Sequence, residues 1–202
     1  MNVELLFVSP KHLVLKGIRT CWQTQEKSDT DPTTDTLGEN DKQLLKKIID
    51  LGHSSTLEHS LITYQVNGIS RALLQELSRH RVGVSPSVES SRFTFKKILR
   101  NQESVEHVLI SSGDEDLDDL NKEHMEKVKE LANNKNLPND ICKYGLVETY
   151  KVNEIISFNF RSLRHFYQLR SSKKALWEIR ELANSFIEQL PESYSVFFED
   201  LK

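Results

Sequence analysis

The fourteen residues from Arg79 to Arg92 include three arginines and four serines. Guanidinium groups bind phosphate oxygens in bidentate geometry, and small residues let backbone N–H groups approach an anion closely. Cations in the last turn of a helix also complement the helix dipole, and this structural alternative accounts for Arg79-His80-Arg81 taken alone. It does not account for Ser90-Ser91-Arg92, which follow. We therefore predict that residues 79–92 bind a phosphorylated ligand.

The spacing of the first two arginines bears on the number of ligands. Arg79 and Arg81 are two residues apart, so on a helix their side chains would point to different sides. Both could not easily reach one phosphate. We therefore expect either two anionic ligands, or one ligand and one neighbouring chain.

Two histidines and a glutamate lie in the eight residues from Gly52 to His59. Such a group could suggest a metal site, but no third nitrogen or sulfur ligand follows at a recognisable spacing, so we predict no bound metal. A purely structural role is also open. In that case Ser54 or Ser55 caps a helix and Glu58 makes local hydrogen bonds.

A third candidate is an arginine on an apolar helix face. Leu163 and Phe166 are at helical spacing, and Arg170 falls on the same face. An arginine in such a place costs free energy unless another group pairs with it. Arg161 and Arg164 fit ordinary solvated charges. We therefore expect a specific partner for Arg170.

Familiar motifs of other enzyme classes are missing from the sequence. There is no Gly-x-x-x-x-Gly-Lys-Ser/Thr phosphate loop, no Gly-x-Gly-x-x-Gly dinucleotide motif and no Gly-x-Ser-x-Gly nucleophile elbow. Ser90 and His80 could be proposed as a hydrolytic pair, but no acid partner or oxyanion motif accompanies them. A hydroxyl that contacts phosphate fits the neighbours of Ser90 better.

Composition excludes several broad classes. The 202 residues include 37% hydrophobic residues, enough for a core, and the net charge of -3 excludes a global electrostatic surface for nucleic acid. No apolar run is long enough to cross a membrane, and the N-terminus is too short and acidic for a signal peptide. We expect a cytoplasmic protein in which Cys21 and Cys142 are reduced, buried thiols.

The elements around the basic segment can be predicted from pattern and turn residues. Alternation from Ser60 to Asn67 predicts a half-buried strand closed by the glycine that follows. Ser70 is expected to cap a helix that presents Arg79-His80-Arg81 at its C-terminal end. A loop from Val82 to Glu89 and a short strand around Arg92 to Phe95 are predicted next.

The remaining pattern is that of an α+β protein. We expect a single domain over residues 1–202, with a central, mostly antiparallel sheet flanked by helices. The further predicted helices cover Glu39 to Leu51, Leu117 to Leu131, Ile141 to Thr149, the residues from Ser162 onward, and about Lys173 to Leu190, and the further predicted strands cover Asn2 to Val8 and Val152 to Phe160.

Three separated motifs, taken in order, resemble the flavin-dependent thymidylate synthases. They span about His53 to Ile179, and such an ordered set is far more specific than the Arg-His-Arg triplet alone. The central motif is Gly68-Ile69-Ser70-Arg71-Ala72 with Arg79-His80-Arg81, eight intervening residues and Ser90-Ser91-Arg92. The upstream motif is His53 with Glu58-His59. The downstream motif is Asn159-x-Arg161-Ser162-Leu163, with Phe166, Leu169-Arg170 and Trp177-Glu178-Ile179.

The resemblance implies a reaction and an assembly. It implies a homotetramer whose active sites are each built from several subunits. It also implies tightly bound FAD reduced by NADPH, methylenetetrahydrofolate as the one-carbon donor, and conversion of dUMP to dTMP. Two anionic ligands, FAD and dUMP, would agree with the spacing of Arg79 and Arg81.

The resemblance also implies roles for residues at matching positions. The implied catalytic residue is Arg170. The implied flavin-site residues are His53, Ser55, Arg79, His80, Arg81, Asn159, Arg161 and His165. The implied dUMP-site residues are Glu76, Arg79, Val88, Glu89, Ser90, Ser91, Arg92, Lys143 and Arg170.

The role that the resemblance implies for Arg170 has a physical basis. A guanidinium beside N3 of uracil favours the deprotonated base, and the added negative charge makes C5 more nucleophilic. Cysteine-dependent thymidylate synthases use a thiolate instead, and neither Cys21 nor Cys142 lies in a suitable motif. An electrostatic route needs no such nucleophile.

Four positions depart from the family pattern. Glu76 stands where glutamine is common, and we expect its carboxylate to accept from uracil or ribose or to turn towards an arginine. Lys143 replaces a common arginine and so keeps the charge but loses the bidentate fork. Val88 stands where an acidic residue is frequent, and Lys174 replaces a common histidine. An alternative function is a non-catalytic nucleotide- or RNA-binding module that uses the same basic loop.

Overall fold

The computed structural model describes residues 1–99 and 104–201. Four strands in this part of the chain form an antiparallel sheet, in the order β1-β2-β4-β3. Together with the helices they confirm the predicted α+β class. The strands are β1 (Asn2–Val8), β2 (Leu61–Ser70), β3 (Val84–Val88) and β4 (Lys151–Asn159).

Helices occupy most of the remaining chain. The α-helices are α1 (His12–Cys21), α2 (Glu39–Asp50), α3 (Arg71–Leu77), α4 (Ser91–Leu99), α5 (Glu115–Asn134), α6 (Asn139–Cys142), α7 (Phe160–Arg170) and α8 (Trp177–Glu188). Short 3-10 turns cover Gln25–Lys27, Ser54–His59, Glu106–Val108, Lys143–Gly145, Glu192–Phe197 and Glu199–Leu201. No helix within the described residues is long and apolar enough to span a membrane.

The chain divides into two compact units. The first unit comprises Met1–Asn2, Val66–Arg79 and Ser87–Glu154. The second unit comprises Val3–Gln65, His80–Pro86 and Ile155–Lys202. That the chain is a single domain over residues 1–202 stays a prediction. This range includes residues 100–103 and 202, which lie outside the described residues.

The core of the second unit is rich in aromatic side chains. The rings of Tyr64 and Phe186 stack with centroids 4.4 Å apart, and the Tyr64 hydroxyl donates to the Phe186 carbonyl oxygen at 2.6 Å. Phe158 and Phe166 complete the cluster, with ring centroids 5.5 and 5.7 Å from Phe186. Because all four side chains are fully buried, they fix β2, β4, α7 and α8 against one another within this unit.

The first unit has its own core, to which a different set of helices contributes. Leu73 and Leu77 of α3 are buried at four-residue spacing, and Ser70 caps this helix by accepting from the Leu73 N–H at 2.9 Å. The predicted cap is therefore confirmed. The buried apolar side chains of this unit are Val66, Ile69, Leu73, Leu77, Phe95, Leu99, Val105, Val108, Met125, Ala132, Cys142, Tyr150 and Val152.

Two predicted elements near the basic segment are wrong. Val84–Val88 is a strand rather than a loop, and it accommodates Pro86 because β3 lies at the edge of the sheet. Ser91–Leu99 is a helix rather than a strand. Its buried residues Ser91, Phe95 and Leu99 recur every four positions, which is a helical period. The predicted strand covers only four residues, which are too few to reveal this period.

The ends of several elements also differ from the predictions. Strand β2 continues through Gly68, which has φ +72° and donates its N–H to Oδ1 of Asn153 at 2.9 Å. Helix α3 ends at Leu77, so the Arg-His-Arg triplet follows the helix instead of lying in its last turn. Cys142 is buried as predicted, whereas Cys21 is exposed; both are free thiols.

Candidate functional site

The segment from His80 to Gly83 is attached to α7 of the same unit. At the start of the helix, Asn159 caps α7 by accepting from the Ser162 N–H at 2.8 Å. The Asn159 N–H donates to the Gly83 carbonyl oxygen at 2.9 Å, and the Ser162 hydroxyl donates to the Val82 carbonyl oxygen at 2.7 Å. At the other end of the helix, His80 meets Arg170. Residues 80–83 and α7 therefore form one connected structure.

Gly83 makes this attachment possible. Its φ of +64° lies in the left-handed region that favours glycine. A Cβ on Gly83 would lie 2.2 Å from Nδ2 of Asn159 and 2.4 Å from Oγ of Ser162. The backbone therefore approaches the first turn of α7 more closely than any residue with a side chain could.

Arg170 has the partner that its position requires. The last residue of α7 is half-buried, and its Nε–H donates to Nε2 of His80 at 2.9 Å. The His80 ring also packs edge-to-face on Phe166, with centroids 4.9 Å apart. The prediction of a specific partner for Arg170 is confirmed, although sequence alone did not identify His80.

The two other arginines of α7 differ from each other. Arg161 is exposed and pairs with Glu58 at 2.5 Å. Arg164 is buried, contacts the Phe197 carbonyl oxygen, and makes a bidentate pair with Asp200 at 2.7 and 2.5 Å. The interpretation of Arg164 as a solvated charge was therefore wrong, since this side chain ties the C-terminal turns to α7.

The predicted flavin-site residues of the second unit are mostly at the surface. Exposed side chains are those of His53, Ser55, Arg81, Arg161 and His165. Residues Ser54–His59 form a 3-10 turn that begins after His53, without a side-chain cap at that position. Within the described residues, no group of three or more His, Cys, Asp or Glu side chains is placed to hold a metal ion.

The first unit contains most of the residues predicted to bind dUMP. Arg79 lies just beyond α3, is 73% exposed, and forms an ion pair with Glu76 at 3.8 Å. Of the contacts expected for Glu76, the turn towards an arginine is therefore observed. The expectation that Arg79 and Arg81 diverge because they share a helix does not apply, since α3 ends before both.

Ser90 precedes α4, and its carbonyl oxygen accepts the first backbone hydrogen bonds of this helix. Its carbonyl oxygen accepts from the N–H groups of Phe93 at 2.9 Å and Thr94 at 3.1 Å. The half-buried Ser90 and the buried Ser91 therefore lie at a helix N-terminus, where backbone N–H groups and the helix dipole favour an anion. Arg92, in the first turn, adds an exposed guanidinium.

Arg92 already has a carboxylate beside it. Its Nε and Nη2 groups donate to Asp140 at 2.8 and 3.4 Å, and both side chains are more than half exposed. These hydrogen bonds raise the pKa of Arg92 and hold the pKa of Asp140 below its ordinary value. The charge of nearby Lys143 also lowers the pKa of Asp140. Sequence reasoning named both cations but missed Asp140, which gives no signal in the sequence because it is 48 positions away from Arg92.

Val88 and Glu89 lie where β3 ends. The Glu89 N–H donates to the Asn153 carbonyl oxygen at 2.8 Å, and Nδ2 of Asn153 donates to the Glu89 carboxylate at 2.7 Å. Val88 is exposed. Asn153 of β4 therefore fixes the chain directly before Ser90, and this residue too was missed from the sequence.

A cleft of about 780 Å³ in the second unit contains none of the predicted site residues. Lys11, on its wall, is already paired with Asp35 at 3.2 Å and hydrogen-bonded to Ser193. The charged lining side chains are Lys11, Asp35, Glu39, Lys42, Lys46, Asp50, Glu199 and Asp200. Since acidic groups outnumber basic ones there, the cleft does not match the anionic ligands expected from residues 79–92.

Comparisons with known proteins agree with the motifs. The model of the family described as Thymidylate synthase complementing protein (Thy1) matches residues 4–194. A flavin-dependent thymidylate synthase of Campylobacter jejuni (strain RM1221) is 41% identical, with 98% of this chain and 96% of the relative covered. One of Helicobacter pylori (strain 26695) is 36% identical, with 99% and 98% covered.

A solved structure agrees with the fold. The crystal structure of the flavin-dependent thymidylate synthase ThyX from Helicobacter pylori, complexed with FAD and dUMP, aligns with a TM-score of 0.90 at 37% identity. The alignment covers 99% of each chain. The fold, the order of the motifs and the full-length matches lead to one conclusion: this chain belongs to the flavin-dependent thymidylate synthase family.

Proposed function

We propose that this protein converts dUMP to dTMP by reductive methylation, with methylenetetrahydrofolate as the one-carbon donor and NADPH-reduced FAD as the source of hydride. The observation that carries the proposal is the Arg170–His80 hydrogen bond at the end of α7, in a chain of this family. It fixes a guanidinium, the group that the proposed chemistry requires. The alternative of a non-catalytic nucleotide- or RNA-binding module gains no support from the relatives.

The donor groups of the second unit suit FAD. Arg81 and Arg161 supply exposed guanidinium groups, and Ser55 supplies a hydroxyl, which are the groups that bind a pyrophosphate. His53, Asn159 and His165 add hydrogen-bonding groups in the same unit. FAD, when bound and reduced, supplies the hydride that completes the methyl group.

The donor groups of the first unit suit the phosphate of dUMP. Ser90 and Ser91 at the N-terminus of α4 bind the phosphate, with charge from Arg79, Arg92 and Lys143. Glu76, Val88 and Glu89 are assigned to the remainder of the nucleotide. Asp140 shares Arg92 with the phosphate, so the guanidinium must serve two anions at once.

Arg170 is the proposed catalytic residue. Its guanidinium stabilises the uracil base in its N3-deprotonated form, which places negative charge in the ring and activates C5 towards the one-carbon unit. No thiolate is needed for this route. The buried Cys142 is unsuited to such a role, because burial raises the pKa of its thiol.

The proposal also covers the assembly, the co-substrates and the cellular location of the protein. The assembly is proposed to be a homotetramer with active sites shared between subunits, and NADPH and the folate are proposed as co-substrates. We also expect the protein to work in the cytoplasm, where its two free cysteines would stay reduced.

The test is spectroscopic. Purified protein should show the absorption spectrum of bound oxidised flavin, and addition of dUMP should perturb that spectrum with saturation. NADPH should bleach the spectrum. A protein that neither retains nor takes up FAD would refute the proposal.

A further inference from the structure

The Arg170–His80 hydrogen bond gives the imidazole the role of an acceptor. An arginine side chain has only N–H donors, so the nitrogen that faces Nε of Arg170 at 2.9 Å must be the acceptor. Nε2 of His80 therefore carries its lone pair, and the ring proton lies on Nδ1.

The imidazole is itself held in place. Its ring packs on Phe166 with centroids 4.9 Å apart and planes inclined by 75°, and Phe166 is fully buried. The backbone that follows His80 is attached to α7 through Val82 and Gly83. The acceptor atom is therefore fixed relative to the same helix that ends at Arg170.

A hydrogen bond at Nε restricts the orientation of an arginine side chain more than a hydrogen bond at one of its terminal nitrogens does. Nε is the atom where the flexible aliphatic stem joins the planar guanidinium, so a fixed contact there limits rotation of the plane. A catalytic group that is held in its productive orientation does not need to be reorganised during the reaction.

We propose that His80 is a positioning residue that acts through Arg170: its Nε2 holds the guanidinium in the orientation in which it stabilises the deprotonated uracil. This inference rests on the proposed function. It gives His80 a role apart from flavin binding. It also distinguishes His80 from Arg79 and Arg81, which carry charge themselves.

Replacement of the acceptor tests the inference. His80→Leu removes it, whereas His80→Gln can present an amide oxygen near the original Nε2 position. We expect His80→Leu to lower kcat on the order of 10- to 100-fold, the usual effect of losing a hydrogen bond to a charged group. The dissociation constant of dUMP and the flavin content should change less than about threefold, and His80→Gln should recover at least about a third of the loss on a logarithmic scale.

Ser162→Ala is the matched control, because it removes the bond to the Val82 carbonyl oxygen and leaves the imidazole in place. Its kcat should fall less than about threefold, since an exposed neutral hydrogen bond contributes little. If Ser162→Ala lowers kcat as much as His80→Leu does, the anchoring of the segment, and not the imidazole, is what matters.

A double-mutant cycle separates the inference from the general proposal. In an Arg170→Lys background, His80→Leu should cost much less than it does alone, because a lysine side chain has no guanidinium Nε–H to be held. Equal cost in both backgrounds would overturn the positioning role. So would loss of flavin from His80→Leu, which would assign His80 to the cofactor. Neither outcome would affect the proposed function, because the wild-type protein would still form dTMP. Wild-type protein that forms no dTMP would refute the proposed function itself.

Discussion

Gly83 and Asn159 are joined through their backbones and leave no room between them for a side chain. The Asn159 N–H donates to the Gly83 carbonyl oxygen at 2.9 Å, and a Cβ on Gly83 would meet Nδ2 of Asn159 at 2.2 Å. Because Asn159 caps α7, the same contact joins residues 80–83 to the helix that carries Arg170.

Gly83→Ala should therefore destabilise the protein and loosen this junction. Gly52→Ala is the matched control, because Gly52 has φ +70° but nothing within 4 Å of its would-be Cβ. The control should lose about 1 kcal/mol of unfolding free energy from left-handed strain, and Gly83→Ala should lose at least about 1 kcal/mol more from the clash. Urea unfolding of both variants measures the difference, and equal losses would mean that the close approach is unimportant.

Arg170→Ala should lower turnover by at least about a hundredfold, because it removes the charge that stabilises the deprotonated base. Flavin retention should be largely unchanged. Arg180→Ala, a half-buried arginine on α8, is the control and should keep most of the activity. Steady-state kinetics and flavin absorbance measure both properties. A variant that loses flavin while its residual holoenzyme turns over normally would contradict the assigned role.

Ser90→Ala should weaken dUMP binding by about tenfold, since it removes one hydrogen bond to a charged phosphate at the N-terminus of α4. Turnover at saturating dUMP should persist. Ser87→Ala, at an exposed position of β3, serves as the control. Titration of dUMP followed by flavin absorbance gives the dissociation constants. Complete loss of turnover at saturating dUMP would instead support Ser90 as a nucleophile.

Asp140→Asn should strengthen dUMP binding about two- to fivefold, because it removes a carboxylate that competes with phosphate for Arg92. The gain should shrink as salt is added. Glu123→Gln is matched in charge and removes an exposed partner of Lys127 on α5, so it should change binding less than about twofold. Weaker dUMP binding by Asp140→Asn would mean that the carboxylate orients Arg92 rather than competing for it.

Glu154 should make stability depend on pH. Its side chain is 2% exposed in β4, and burial raises its pKa from 4.5 to about 7. Between these two values the folded state binds more protons than the unfolded state, so stability should fall as pH rises, by up to about 3 kcal/mol at pH values above 7. Glu154→Gln should lack this fall.

The comparison needs unfolding free energies near pH 5 and pH 8 for the wild type, Glu154→Gln and the exposed control Glu148→Gln. The wild type and Glu148→Gln should lose the same amount between the two pH values. An equal loss in Glu154→Gln would place the titrating group elsewhere.

Local pattern was sufficient to predict several features that position the site. The alternation in β2 and the side-chain cap at Ser70 follow from residues close in sequence, and both are present. Helix α4 was missed because the strand predicted around Arg92 to Phe95 is too short a segment to reveal a helical period. Its period becomes clear only when Leu99 is included.

Contacts between distant residues could not be predicted in the same way. His80 and Arg170 are 90 positions apart, and Arg92 and Asp140 are 48 positions apart. The apolar face of α7 predicted that Arg170 needed a partner, but the choice of His80 depends on where residues 80–83 run along the helix. Exposed Asp140 has no such pattern, so only the fold reveals it.

The central claim is tested most directly by dTMP formation. Purified protein supplied with FAD, dUMP, methylenetetrahydrofolate and NADPH should form dTMP and oxidise NADPH in step with it. Omission of dUMP or of the folate should stop dTMP formation. Failure of flavin-loaded, folded protein to form any dTMP under these conditions would contradict the account.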